Sequence, residues 1–143
     1  MTRIGLVCVQ NAGRSQMATA YAQAEREARG LESQVEIITG GTHPADSVHD
    51  IVVEAMAEVG FDLSTRTPKP VTDAELEACD VVATMGCSTL ELGAETDVRD
   101  WDLEDPHGKD LETVHEIREE ISERVRALFD DLEAEFVDQA SSP

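Results

Sequence analysis

The chain opens on an apolar run, Ile4 to Val9, broken only by Gly5, the pattern of a short strand buried on both faces of a parallel sheet. Polar residues intervene. Met17, Ala20, Tyr21, Ala24 and Ala28 then recur at steps of three and four, which predicts a helix starting near Arg14 or Ser15 and stopping at Gly30, a residue suited to a left-handed cap. Val35 to Thr39 predicts a second strand, ended by Gly40-Gly41. Ser47 is placed to cap a second helix carrying Val48, Val52, Met56 and Val59 on one face before Gly60.

Pro68-Lys69-Pro70 forces an extended loop, Asp73 to Ala78 predicts a short helix, and Val81 to Met85 a third buried strand. A fourth, shorter strand is expected around Val98 to Trp101. From Asp110 onward Leu111, Val114, Ile117, Ile121, Val125, Leu128, Leu132 and Phe136 describe a long amphipathic helix with an acidic outer face. This alternation predicts one α/β domain over residues 1–138, a four-stranded parallel sheet with right-handed crossovers and helices on both faces. Its ligands belong at the carboxyl ends of the strands. Residues 139–143, Gln139-Ala140-Ser141-Ser142-Pro143, are expected to be a disordered tail.

Composition narrows the partners. Among 143 residues, 31 Asp and Glu face 11 Lys and Arg, a net charge of −20, so nucleic acid and anionic membrane are not expected partners. Such a charge repels itself unless salt screens it, which suggests a halophilic source. No apolar stretch approaches the roughly 20 residues that span a bilayer, and the amino terminus lacks a signal pattern, so a cytoplasmic protein is expected. Cys8, Cys79 and Cys87 are an odd number, better suited to catalysis or redox chemistry than to a disulfide framework. The histidines and cysteines show no compact ligand spacing, so no metal site is expected. His43 and His49 flank a loop and a helix start, where a structural role is expected. Gly40-Gly41 lacks a nucleotide-binding pattern.

The chemistry concentrates in Cys8-Val9-Gln10-Asn11-Ala12-Gly13-Arg14-Ser15. Cys8 closes the first strand and Arg14-Ser15 opens the first helix, so the residues between wrap a tight loop whose amides can face one anion. Gly13 permits unusual torsions, Asn11 can hold the loop through its amide, and the helix terminus adds partial positive charge. Arg14 offers a planar fork for two oxyanion oxygens. The same field favours a thiolate at Cys8, to which Ser15 can donate, so one loop binds an anion and ionises the nucleophile aimed at it.

With its helix start Gln16-Met17-Ala18, this loop resembles that of the low-molecular-weight tyrosine phosphatase superfamily, and specifically its arsenate reductase branch. Gly40-Gly41-Thr42-His43-Pro44, Val53-Glu54-Ala55-Met56, Phe61-Asp62-Leu63-Ser64, Pro68-Lys69, Cys79-Asp80-Val81-Val82 and Trp101-Asp102-Leu103-Glu104-Asp105-Pro106 extend the likeness over most of the chain. The resemblance implies that Asp105 hangs above the cysteine loop as the proton donor. It also implies that Cys8 attacks arsenate and that Cys87, which follows the third strand, attacks Cys8 to release arsenite and leave a disulfide. Cys79, at the amino end of that strand, is expected in the core.

No cofactor is expected, only an external thiol donor: thioredoxin, a glutaredoxin-like protein or a low-molecular-weight thiol. Thioredoxin-coupled members carry a further cysteine beyond the position of Cys87, and Ser88 to Trp101 has none. The competing reading is a phosphotyrosine or phosphoester phosphatase working through a Cys8 phosphoenzyme. Such phosphatases place tyrosines after the Asp-Pro element, where this chain has His107-Gly108, so a small oxyanion such as arsenate, phosphate or sulfate suits the site better. A non-catalytic anion sensor is a third reading, opposed by the intact Cys8, Arg14 and Asp105.

Overall fold

The computed structural model describes residues 1–86 and 96–141, with side chains through residue 136. Four strands, β1 (Thr2–Cys8), β2 (Val35–Gly41), β3 (Val81–Met85) and β4 (Asp97–Asp100), form one parallel sheet in the order β2-β1-β3-β4. The helices are α1 (Arg14–Ala28), α2 (Asp50–Ala57), α3 (Asp73–Glu77) and α4 (Leu111–Ser141). The path leaves β1 toward β2 on one side, and β3 lies on the other. The connections therefore diverge at the carboxyl ends of β1 and β3, where parallel sheets open a crevice.

Strand alternation sorts the side chains between two cores. Ile4, Leu6 and Cys8 of β1 and Val81, Ala83 and Met85 of β3 join the larger core with Met17 and Ala18 of α1, Val52 and Met56 of α2, and Ile121, Val125, Leu128 and Phe129 of α4. Val7 and Val82 face the other way, onto Leu76 of α3 and Cys79. The expected β/α alternation, parallel sheet and coverage of both faces are all present. Cys79 is buried as expected, and its sulfur donates to the Glu75 carbonyl at 3.5 Å. Burial pushes this thiol up to about 11, so it stays protonated.

Several boundaries differ from the sequence expectation, each for a tertiary reason. β1 ends at Cys8 rather than Val9, because the Val9 carbonyl accepts the His43 N–H at 2.8 Å instead of continuing the ladder. The Gly40-Gly41 pair lies inside β2 rather than ending it. Gly41 pairs with the Pro68–Pro70 segment, its N–H donating to Lys69 O at 2.9 Å, and that segment continues so close to β2 that a Cβ on Gly40 would stand 2.5 Å from that of Val71. α2 starts at Asp50, not at Ser47. Val48 is buried before the helix begins, and His49 occupies the cap with an extended backbone.

α1 ends as expected in a Schellman turn: Gly30 has φ +66°, its N–H bonds Glu27 O, and the Leu31 N–H reaches Arg26 O at 2.9 Å while Leu31 is buried. α4 continues to Ser141, past the expected start of the tail at Gln139, in a stretch with no helix breaker before Pro143. Its exposed side carries Glu112, Glu116, Glu119, Glu120, Glu123, Asp130, Asp131 and Glu135.

That one-sided charge generates a prediction. Raising KCl from about 0.1 M to about 1 M shortens the screening length from about 10 Å to about 3 Å, and the melting temperature is expected to rise with it. A melting temperature independent of salt would contradict the role given to the acidic surface.

Candidate active site

Cys8 pairs with Gly41 on one side and Met85 on the other, at the carboxyl edge of the sheet, and Arg14 already belongs to α1. Residues 9–13 therefore turn the chain within one short loop. Their carbonyls point outward and are taken up in sequence. Cys8 O accepts from Thr42 N (3.3 Å), Val9 O from His43 N (2.8 Å), Gln10 O from Ala45 N (3.0 Å), Asn11 O from Gln16 Nε2 (3.0 Å), Ala12 O from His49 N (2.9 Å) and Gly13 O from Met17 N (3.0 Å). In a trans peptide the N–H opposes the C=O, and the described peptides are trans. The amides that follow these carbonyls are thereby aimed into the loop, a nest for negative charge.

Asn11 holds this shape. Its φ is +51°, a left-handed conformation that Asn tolerates better than most residues, and Gly13 too takes torsions, φ −139° and ψ −94°, outside the helical and strand regions. Gly13 is required for space, because a Cβ there would stand 2.9 Å from Pro106 Cγ. The Asn11 side-chain oxygen accepts from Lys69 N and Gln16 Nε2, each at 3.1 Å. Since a backbone N–H only donates, the amide can face one way, with Nδ2 donating to Ser15 Oγ (2.7 Å) and Thr39 Oγ1 (3.0 Å). Ser15 Oγ is thus an acceptor from Asn11, and it lies 2.9 Å from Cys8 Sγ, to which its hydroxyl donates when the sulfur is a thiolate. The Asn11 N–H donates to the same sulfur at 3.2 Å. Two donors converge on Cys8, the arrangement a sulfur anion needs.

The pocket above the sulfur, about 240 Å³, is lined by Cys8, Val9, Gln10, Gly13, Arg14, His49, Gly86 and Asp105. Arg14 is almost fully buried and fixed by a bond from Nη1 to Leu103 O at 3.1 Å. Gly86, at φ +84°, lies flat against it, and a Cβ there would meet Nη1 at 2.5 Å. Asp105 stands across the pocket with Oδ2 3.8 Å from Arg14 Nη2, and its Oδ1 accepts the His107 N–H at 3.0 Å. The structure thus brings Cys8, Arg14 and Asp105 together. Of the other expected substrate contacts, Val9, Gln10 and Gly13 line the pocket, whereas Asn11, Ala12 and Ser15 are buried beneath it and work as scaffold. Cys87 lies outside the described residues.

Sequence reasoning missed two pocket residues. Gly86 gave no signal beyond being a glycine after a strand. His49, read there as structural, faces the pocket: its Nε2 meets Gln10 Oε1 at 3.1 Å, and its ring stacks on that of His107, with centroids 4.7 Å apart and planes tilted by 31°. An amide oxygen only accepts, so Nε2 carries the proton of the neutral ring. Burial, and then the neighbouring His107, hold the His49 pKa below its ordinary 6.5, with Asp105 and Asp50 pulling the other way.

Three comparisons bear on this site. The sequence profile of the low molecular weight phosphotyrosine protein phosphatases matches residues 3–138. A Halobacterium salinarum protein that carries the provisional name arsenate reductase is 67% identical over 132 residues, covering 92% of this chain and 93% of its own. The glutaredoxin arsenate reductase of Synechocystis is 32% identical, over 90% of this chain and 96% of its own. Among solved structures, the thioredoxin-dependent arsenate reductase of Corynebacterium glutamicum superposes with a TM-score of 0.77 at 34% identity; the match covers 94% of this chain and 63% of that one.

Two predictions follow from the geometry. Iodoacetamide at about pH 7 is expected to label Cys8 and leave Cys79 untouched until the protein unfolds, with phosphate protecting Cys8; peptide mapping that found Cys79 labelled first would contradict the assignment. Because the folded pKa of His49 lies below the unfolded one, the ring is neutral in both states at high pH and destabilises the fold as acid protonates it. His49→Gln is therefore expected to lose less stability than the parent between about pH 7.5 and about pH 5 in urea titrations, and an equal loss would refute the burial argument.

Proposed function

The chain belongs to the low molecular weight phosphotyrosine protein phosphatase family, and we propose that within it this protein reduces arsenate to arsenite at Cys8. The observation that carries this reading is the position of the Cys8 sulfur under Arg14 and Asp105, in a pocket whose lining, among the described residues, contains no phenyl or phenol ring. A tetrahedral oxyanion fills such a pocket through the inward amides and the guanidinium fork, which leaves its central atom over the sulfur.

The steps balance as follows. The Cys8 thiolate bonds arsenic, an As–O bond breaks, and Asp105 protonates the departing oxygen, giving water and a thioarsenate ester. The Cys87 thiolate then attacks Cys8 Sγ. The pair of electrons in the S–As bond passes to arsenic, As(V) becomes As(III), arsenite leaves, and a Cys8-Cys87 disulfide remains. An external dithiol or small thiol supplies the two electrons that reopen it. Thioredoxin and glutaredoxin name the donors of two similar reductases, and a thiol donor of that class is the partner assigned here. No helix among the described residues is long and apolar enough to cross a membrane. The thiol requirement and the acidic surface favour a reducing, salt-rich cytoplasm as the working compartment.

Cys8→Ser is expected to abolish arsenate turnover, and Asp105→Asn to lower kcat by about 10²–10⁴-fold. Cys87→Ser is expected to stop turnover yet leave phosphate binding intact by calorimetry. Assays in high salt with thioredoxin, glutaredoxin and a small thiol identify the donor, and full arsenate reduction by Cys87→Ser would overturn the resolving role.

A further inference from the structure

The carboxylate of Asp105 has little to hold it. Its side chain is 59% exposed, and its contact with Arg14, at 3.8 Å, is too long for a hydrogen bond. Its other hydrogen bond among the described residues, from His107 N to Oδ1, comes from its own loop and moves with it. Before Asp105 the loop is anchored by the buried Leu103, whose carbonyl accepts from Arg14; beyond it, among the described residues, contacts of residues 106–107 seat the loop over the sulfur. Two such contacts are present. Pro106 fills the space left by the missing side chain of Gly13, and the His107 ring stacks on His49.

His49 belongs to neither loop and touches both. Its backbone N–H binds Ala12 O at 2.9 Å, and its ring nitrogen meets the Gln10 side chain at 3.1 Å, so it is fixed to the anion loop at two points. Its Cδ2 lies against Gly13, 3.7 Å from where a Cβ would stand. The ring then presents its face to His107, one residue beyond Pro106 and two beyond Asp105. A stacked imidazole pair has a preferred separation and tilt, so it transmits position from one loop to the other.

We propose that His49 is a positioning residue, a clasp that registers the Asp105 loop against the cysteine loop so that the carboxyl group stands over the departing oxygen. The proposal rests on Asp105 being the proton donor. A misplaced donor slows the chemical step while the amides and Arg14 still bind the anion, because the amides belong to the cysteine loop and the guanidinium is held by Leu103 O, ahead of Asp105, and not by residues 106–107. Loss of the clasp therefore shows in kcat and leaves anion affinity alone. It also has no further effect once the carboxyl group is gone.

The test is arsenate reduction by the full chain, beside calorimetric titration with inorganic phosphate. His49→Ala is expected to lower kcat by about tenfold, with the phosphate Kd changed by less than about threefold. His49→Phe, which keeps a ring to stack, is expected to recover most of the rate, whereas His49→Gln, which keeps only the polar contact, is not. The double variant His49→Ala/Asp105→Asn is expected to be no slower than Asp105→Asn alone. Should His49→Ala fail to fold, His107→Ala removes the same stack from the other loop and leaves the bonds to Ala12 and Gln10 in place. Additive losses in the double variant, a parallel loss of phosphate affinity, or rescue by Gln rather than Phe would overturn the clasp while the donor reading stands. A kcat unchanged by Asp105→Asn would overturn the donor reading, and the clasp with it.

Discussion

The orientation of one buried amide underlies the whole site. Asn11 makes four side-chain hydrogen bonds, and the one from the Lys69 backbone fixes which way round the amide lies. From that follows the direction of its other bonds, with Nδ2 toward Ser15 and Thr39, and it leaves the Ser15 hydroxyl free to donate to a Cys8 thiolate. A buried network of this kind is costly to leave incomplete, since a single unpaired donor or acceptor costs about 1–3 kcal/mol, and among the described residues only Gln16 Oε1 in it lacks a partner. The left-handed turn at Asn11 and the outward ring of carbonyls belong to the same arrangement. Together they convert an ordinary strand-to-helix turn into a cup of donors.

The surrounding fold supplies that cup with walls. Four of the six donors to the outward carbonyls come from the segment after β2, at Thr42, His43, Ala45 and His49, so the second β-strand and its loop are part of the site although they carry none of the nucleophilic chemistry. The glycines serve the same end. Gly41 lets the anion loop lie directly on β2, where a Cβ would come within 2.6 Å of Val9 O, and Gly86 lets the Arg14 guanidinium lie flat on the end of β3. Function here depends on backbones approaching more closely than side chains allow.

Much of this was legible in the sequence because it is local. The run Ile4–Val9, the helical spacing after Arg14, the cap at Gly30 and the strand Val81–Met85 all follow from patterns within a few residues. The cysteine loop was legible for the same reason. What stayed hidden depends on partners far along the chain. Gly40-Gly41 looked like a strand end because the Pro68–Val71 segment that presses on them is some thirty residues away. His49 looked structural because its stacking partner, His107, lies on a different loop. Asp105 could be picked out from 31 acidic residues only through the family motif, since nothing in its immediate surroundings marks a surface carboxylate as a proton donor.

The division of the sheet into two faces carries a consequence for electron flow. Cys8 lies in the core under α1 and α4, whereas Cys79 packs against α3 and β1 from the opposite side, with Gly5 and Val82 beside it. The two sulfurs therefore lie on opposite faces of the sheet, with the β1 backbone between them, and cannot meet in a disulfide without unfolding it.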